Sequence, residues 1–235
     1  MSVEGTLAAH LARSLRMRAG DVLTAVDGAG HEHGVSLDAV TPTRVEGAVT
    51  WTREATGEPV LRITVVQALP RDRFEDCIDV LVEVGVAEIR PVITQRVVAR
   101  PGGDRVRRRL LRWQAIATES AQLAGRGIIP QVHAPTGLAA ALTSLEGDAQ
   151  LIVCTFDGER SIAAVDLDRS RQVALCIGPE GGFGDVDMAA LRDAKAQTVH
   201  MGARVLRTRY AGAVACALLL ARSGDLDVPI SAPLS

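Results

Sequence analysis

Beyond residue 60 the sequence alternates between short, largely apolar runs and longer segments with helical periodicity. That alternation constrains the fold more than any other feature. Residues 61–69, 87–94, 150–155 and 173–177 are runs rich in Val, Ile and Leu. Strands covered on both faces read this way, because neither side of the pleat meets water. Between them, apolar residues recur three and four apart. Residues 71–85 put Phe74, Ile78, Leu81 and Val82 on one face and stop at Gly85. Helical segments also span 104–124, closed by Gly125, then 135–145, 185–194 and 208–222, with short strands at 128–132 and 199–201. Strands alternating with helices predict an α/β domain with a mostly parallel sheet.

The first quarter reads differently. Residues 21–26 end at the turn signal Asp27-Gly28, and 35–40 and 44–52 are separated by Thr41-Pro42. Short strands at this spacing predict a small β domain over residues 1–57, with the polar stretch 53–59 as linker and the α/β domain over 58–235. The chain has 235 residues, 47% of them hydrophobic and 23% charged, which suits a soluble globular protein with one large and one small domain. Its longest apolar run, 213–221, is too short to span a bilayer. No basic region followed by an apolar run opens the sequence, so no signal peptide and a cytoplasmic location are expected. Cys77, Cys154, Cys176 and Cys216 lie in apolar runs, without CxxC spacing or a histidine at zinc-finger distance. They read as buried, reduced thiols, and no metal site is expected.

A net charge of −2 argues weakly against a nucleic-acid partner, but the charge is unevenly spread. Between residues 90 and 126 there are nine arginines and two acids, Asp104 and Glu119, with Glu88 just outside. Local fields decide binding, not the total. Arg96, Arg100, Arg105, Arg107, Arg108, Arg109 and Arg112 are candidates for phosphate contact, and Arg13, Arg16 and Arg18 form a second cluster. Singly, each reads as a solvated surface charge; that reading suits the whole set less well.

Two glycine-containing loops carry the chemistry. Ile177-Gly178-Pro179-Glu180-Gly181-Gly182-Phe183 follows a buried strand and precedes a helix, where open α/β sheets bind ligands. It is neither a Walker loop nor GxGxxG. Met201-Gly202-Ala203-Arg204-Val205-Leu206-Arg207-Thr208 again sits between a strand and a helix. Two such loops at neighbouring strand ends can frame one pocket.

These segments and those around them resemble the RsmE family of SPOUT-class RNA methyltransferases. His10-Leu11 to Arg16, followed by Gly20-Asp21, resembles the family's PUA-like start. Leu69-Pro70-Arg71, Val84-Gly85-Val86 and Ile89-Arg90-Pro91 resemble its first catalytic helix and second strand. Arg112-Trp113, Glu119, Arg126 and Pro130 match its long helix and exit, and IGPEGGF and GARVLRT its two cofactor loops. The resemblance implies a PUA-like β-barrel domain followed by a SPOUT domain with a deep trefoil knot. It implies methyl transfer from S-adenosyl-L-methionine to N3 of a uridine in 16S (small-subunit) ribosomal RNA, as part of rRNA processing in ribosome biogenesis. It also implies a homodimer with the cofactor site near the subunit interface. The cofactor-binding positions are then Thr155, Phe156, Ile177, Gly178, Pro179, Gly181, Gly182, Met201, Gly202, Val205, Leu206, Arg207, Thr208 and Ala211.

Uridine N3 carries a proton and lies on the Watson–Crick edge, so the base must be unpaired or flipped out. The reaction needs a proton acceptor and positive charge for the anion developing on O2 or O4. Arg126 and Arg207 are the candidates for the charge; Glu180 is a candidate for the proton or for fixing the glycine loop. Several positions depart from the family pattern. The chain starts later than members usually do, so a first strand of the PUA-like domain is expected to be absent. Gln122-Leu123 stands where Glu-Gln is usual, and Arg207-Thr208-Arg209-Tyr210-Ala211 stands where Arg-Thr-Glu-Thr-Ala is common. Tyr210, the only tyrosine, is a candidate for stacking on a base or cofactor. Two alternatives stay open: a SPOUT enzyme acting on another RNA or atom, and a ribosome-assembly factor without catalysis.

Overall fold

Alternating polarity in the first quarter folds into an antiparallel sheet with one covered face. The computed structural model describes residues 1–97, 104–145, 147–168 and 172–227. A small unit comprises Met1–Glu58 with Gly125–Ile129, and a large unit comprises Pro59–Ala124 and the chain from Pro130 onward. In the small unit, β1 (Ser2–Glu4) leads into α1 (Thr6–Ala9) and a π-helical turn over His10–Ser14. β2 (Val22–Val26), β3 (His31–Val40) and β4 (Arg44–Glu54) follow, in the sheet order β1-β4-β3-β2. The sequence reading put its first strand at 21–26; residues Ser2–Glu4 form an earlier one, paired antiparallel with Arg44–Glu46. Val35, Leu37 and Val45 point to one face and close a core with Ala8 and Leu11 from the helical segment. The Asp27-Gly28 turn is held by the Asp27 carboxylate, which accepts from the N–H of Ala29 at 2.7 Å and of His31 at 3.0 Å. Gly34 leaves room for an aromatic ring: a Cβ there would come within 2.0 Å of the Trp51 indole nitrogen.

The large unit is the α/β domain expected from the apolar runs. In chain order it contains β5 (Ile63–Ala68), α2 (Phe74–Glu83), β6 (Glu88–Ile93), α3 (Asp104–Leu123), β7 (Gln131–Val132), β8 (Thr136–Gly137) and α4 (Leu138–Thr143). Then come β9 (Gln150–Cys154), β10 (Arg160–Ser161), β11 (Val173–Ile177), α5 (Asp185–Asp193), β12 (Gln197–His200) and α6 (Thr208–Ser223). The strand order is β10-β12-β9-β11-β5-β6-β7, with β8 also on β6, and every pairing is parallel. Each residue of β5 and β11 is buried, which is why these runs show no alternation.

α2 buries Phe74, Cys77, Ile78, Leu81 and Val82, and the Phe74 ring meets Trp113 of α3 edge-on at 4.7 Å. Gly85 ends this helix region at φ 106°, where a Cβ would lie 2.6 Å from the Pro59 ring. In α3 the buried stripe is Trp113, Ala117, Ser120 and Ala121.

Two expected elements are shorter than the sequence suggested. The strand expected over 128–132 joins the large sheet only at Gln131–Val132, while Ile128 bridges to Gly28 and Ala29 of the small unit. Pro130 separates the two pieces, because it has no N–H for a continuous ladder. The helix expected over 135–145 is reduced to Leu138–Thr143, and Thr136–Gly137 is extended against β6. Among the described residues no helix is long and apolar enough to cross a membrane.

Candidate active site

The sheet order brings the carboxyl ends of β12, β9 and β11 side by side. Ligands of open α/β sheets bind beyond such ends. The loops leaving these strands, the start of α6 and Pro70–Asp72 after β5 line one cavity of about 780 Å³ in the large unit. Pockets for small ligands run ~300–1,000 Å³. All fourteen positions expected to hold the cofactor line this cavity, as do Glu180 and Arg209.

The glycine loop is shaped by its own backbone. Gly182 donates its N–H to the Pro179 carbonyl at 2.8 Å and has φ 70°, a conformation a side chain disfavours. Its rim is fastened from neighbouring segments. The Asp187 carboxylate, buried in the first turn of α5, accepts from the N–H of Gly184 at 2.9 Å and of Gln95 at 3.0 Å. Arg96 Nη1 donates to the Gly181 carbonyl at 2.5 Å. Sequence reading missed this clasp. Its one local signal was an acid three residues after Gly184, placed to reach back to the helix start.

The Glu180 carboxylate accepts from the Arg71 N–H at 3.3 Å and is otherwise exposed. Arg207 precedes α6 as its N-cap residue and is exposed. Cys154 is also on the cavity wall, and burial pushes its thiol up to about 12, so it is no nucleophile. The buried hydroxyl of Thr155 has no hydrogen-bond partner among the described residues.

Arg126 belongs elsewhere. Its side chain is 4% exposed, and Nη2 lies 2.6 Å from Glu58 Oε2 in the small unit, with Nε donating to Glu58 Oε1 at 3.3 Å. In the small unit it stands as a buried cation paired with Glu58. A partner 68 residues away leaves no local trace in the sequence.

The expected RNA-facing arginines are at the surface. Arg105, Arg107, Arg108, Arg109 and Arg112 are exposed on the first turns of α3, before its buried stripe begins at Trp113. Arg96 is exposed, and so are Arg13, Arg16 and Arg18 in the small unit. Arg100 lies outside the described residues. Among those residues no His, Cys, Asp and Glu group is arranged to hold a metal.

The fold and its loop-built cavity define a class, an RNA methyltransferase: the RNA methyltransferase domain family matches residues 56–220, and the RNA methyltransferase PUA domain matches residues 3–46. A ribosomal RNA small subunit methyltransferase E from Mycobacterium bovis is 31% identical over 220 residues, which span 91% of this chain and 83% of that protein. The crystal structure of a ribosomal RNA small subunit methyltransferase E from Neisseria gonorrhoeae bound to S-adenosyl methionine superposes with a TM-score of 0.82 at 25% identity. That match covers 96% of this chain and 92% of the other. A putative methyltransferase from Legionella pneumophila, in complex with the same cofactor, gives a TM-score of 0.79 at 25% identity, over 96% of this chain and 91% of that one. The chain belongs to the ribosomal RNA small subunit methyltransferase E family.

Proposed function

We propose that this chain methylates N3 of a uridine in 16S (small-subunit) ribosomal RNA, using S-adenosyl-L-methionine, as a cytoplasmic homodimer. The observation that carries the reading is the convergence of the two glycine loops and the β9 loop on one cavity, in a chain related to a cofactor-bound enzyme of this name.

The cavity fits the cofactor's chemistry. Its wall has apolar surface from Ile177, Val205 and Leu206 for an adenine ring, and glycine backbone that a ligand can approach closely. The buried Thr155 hydroxyl has no partner among the described residues and is open to a ligand's polar group. When bound, the cofactor supplies an electrophilic methyl group on a sulfonium. The chain's own residues must orient the base, take its proton and balance its charge. Arg207, exposed and on the cavity wall, is the proposed partner for the uracil oxygen that becomes negative. Glu180, standing on the glycine loop itself, is the proposed acceptor of the N3 proton.

Exposed arginines at the start of α3, with Arg13, Arg16 and Arg18, are the proposed phosphate contacts, so affinity should fall steeply with salt. The homodimer is supported by α6, which exposes Val214 and Leu218 on one face at a spacing of four. An apolar stripe of this kind suits an interface with a second copy.

The test is methyl transfer to unmodified small ribosomal subunits, with nucleosides resolved by mass spectrometry. The expected product is 3-methyluridine. A different methylated nucleoside overturns the assigned atom, and no methylated nucleoside overturns the enzyme reading.

A further inference from the structure

Arg209 is an arginine in an awkward place. It occupies the second position of α6, where the helix dipole disfavours a cation. Its side chain is only 20% exposed, yet its Nε is buried with no hydrogen-bond partner among the described residues. The nearest carboxylate, Asp76 of α2, stands 3.9 Å from Nη1, beyond hydrogen-bond reach. Asp76 is shared, since Arg73 Nη1 donates to the same oxygen at 3.4 Å. The guanidinium carbon lies over the Tyr210 ring, 4.8 Å from its centre. A guanidinium that is desolvated and short of acceptors is set for an incoming oxyanion.

The anion's source follows from where the group stands. Arg209 lines the cavity, but its neighbours Asp76 and Tyr210 are 42% and 44% exposed. This is a solvent-facing rim of the cavity. We infer that Arg209 grips a backbone phosphate of the RNA beside the target base, that the Tyr210 ring packs against the guanidinium, and that Asp76 competes with the phosphate for it. The assignment rests on the proposed RNA substrate.

Binding of unmodified small ribosomal subunits to the full chain, measured across a salt series, tests it. R209Q is expected to lose about tenfold in RNA affinity and to lower the slope of log affinity against log salt by about one. R209K, which keeps the charge, is expected to retain the slope. D76N is expected to bind RNA more tightly, because it removes the competitor. Cofactor affinity, measured separately by calorimetry, is expected to stay within about twofold in R209Q, since a rim phosphate contact leaves the glycine loops untouched. Equal RNA binding by R209Q and wild type overturns the assignment. So does weakening by both R209Q and D76N, the mark of a merely structural pair, and so does a loss of cofactor affinity without loss of RNA affinity. A wild-type chain that binds cofactor but no RNA overturns the proposed substrate, and this assignment with it.

Discussion

Removing either partner of the Arg126–Glu58 pair should destabilise the small unit without touching the chemistry of the cavity. The two losses are unequal. Arg126 is 4% exposed and Glu58 17% exposed, so a widowed Arg126 is stranded further from water than a widowed Glu58. Breaking a buried pair by deleting one partner costs ~3–5 kcal/mol. E58A belongs near the top of that range, because it also strips the acceptor from the Ile128 N–H at 3.0 Å. R126A belongs near the bottom, at about 3 kcal/mol. In a domain of this size 1 kcal/mol moves the melting point ~4–8 °C, so R126A should melt roughly 12–24 °C lower. The two tryptophans make the assay specific, since Trp51 lies in the small unit and Trp113 in the large one. Fluorescence-detected unfolding in a W113F background reads Trp51 alone. The double variant should cost less than the sum of the singles, because the two residues share one interaction. A Trp51 transition unmoved by R126A, with turnover abolished, would falsify the structural role and return Arg126 to the chemistry.

Two further perturbations probe other parts. Gly182→Ala places a side chain at φ 70°, where no neighbour obstructs a Cβ, so its cost is conformational. That cost, ~1–2 kcal/mol, should weaken cofactor binding about 5- to 30-fold by calorimetry, and unchanged affinity would exclude a contact through this loop conformation. At Asp27, N–H donation from His31 and Ala29 holds the carboxyl down to about 2 from an ordinary 3.8. Because the folded-state value is the lower one, the stabilisation is present above the unfolded value and disappears as pH falls through about 2. D27A should therefore unfold earlier than wild type at neutral pH and converge with it in strong acid; parallel curves down to the lowest pH would exclude the turn as the cause.

Much of the large unit was legible because its physics is local. β5 and β11 are buried throughout and read as largely apolar runs, and the face of α2 emerged from spacing alone. The cavity walls were legible as loops because glycines follow strands there. Long-range partnerships were not. Asp187 holds Gln95, 92 residues away, and Arg126 holds Glu58, 68 residues away; no window of sequence contains both ends. Pro130 was visible, but its effect was not, since a proline marks a break without saying where each half goes. A knot is a matter of threading rather than pairing, so strand and helix periodicities carry no trace of it, and only resemblance suggested it.

The five residues Gly125–Ile129 belong to the small unit although Pro59–Ala124 separates them from its first stretch. During synthesis the chain therefore cannot finish what it began first. When Glu58 leaves the ribosome, its carboxylate has neither Arg126 nor the Ile128 N–H to meet. At ~5–20 residues per second the missing segment follows roughly 3–13 s later. Through that interval the nascent small unit lacks its buried ion pair and the Ile128 bridge to Gly28 and Ala29. A protein cut after residue 58 would be held in that unfinished state permanently.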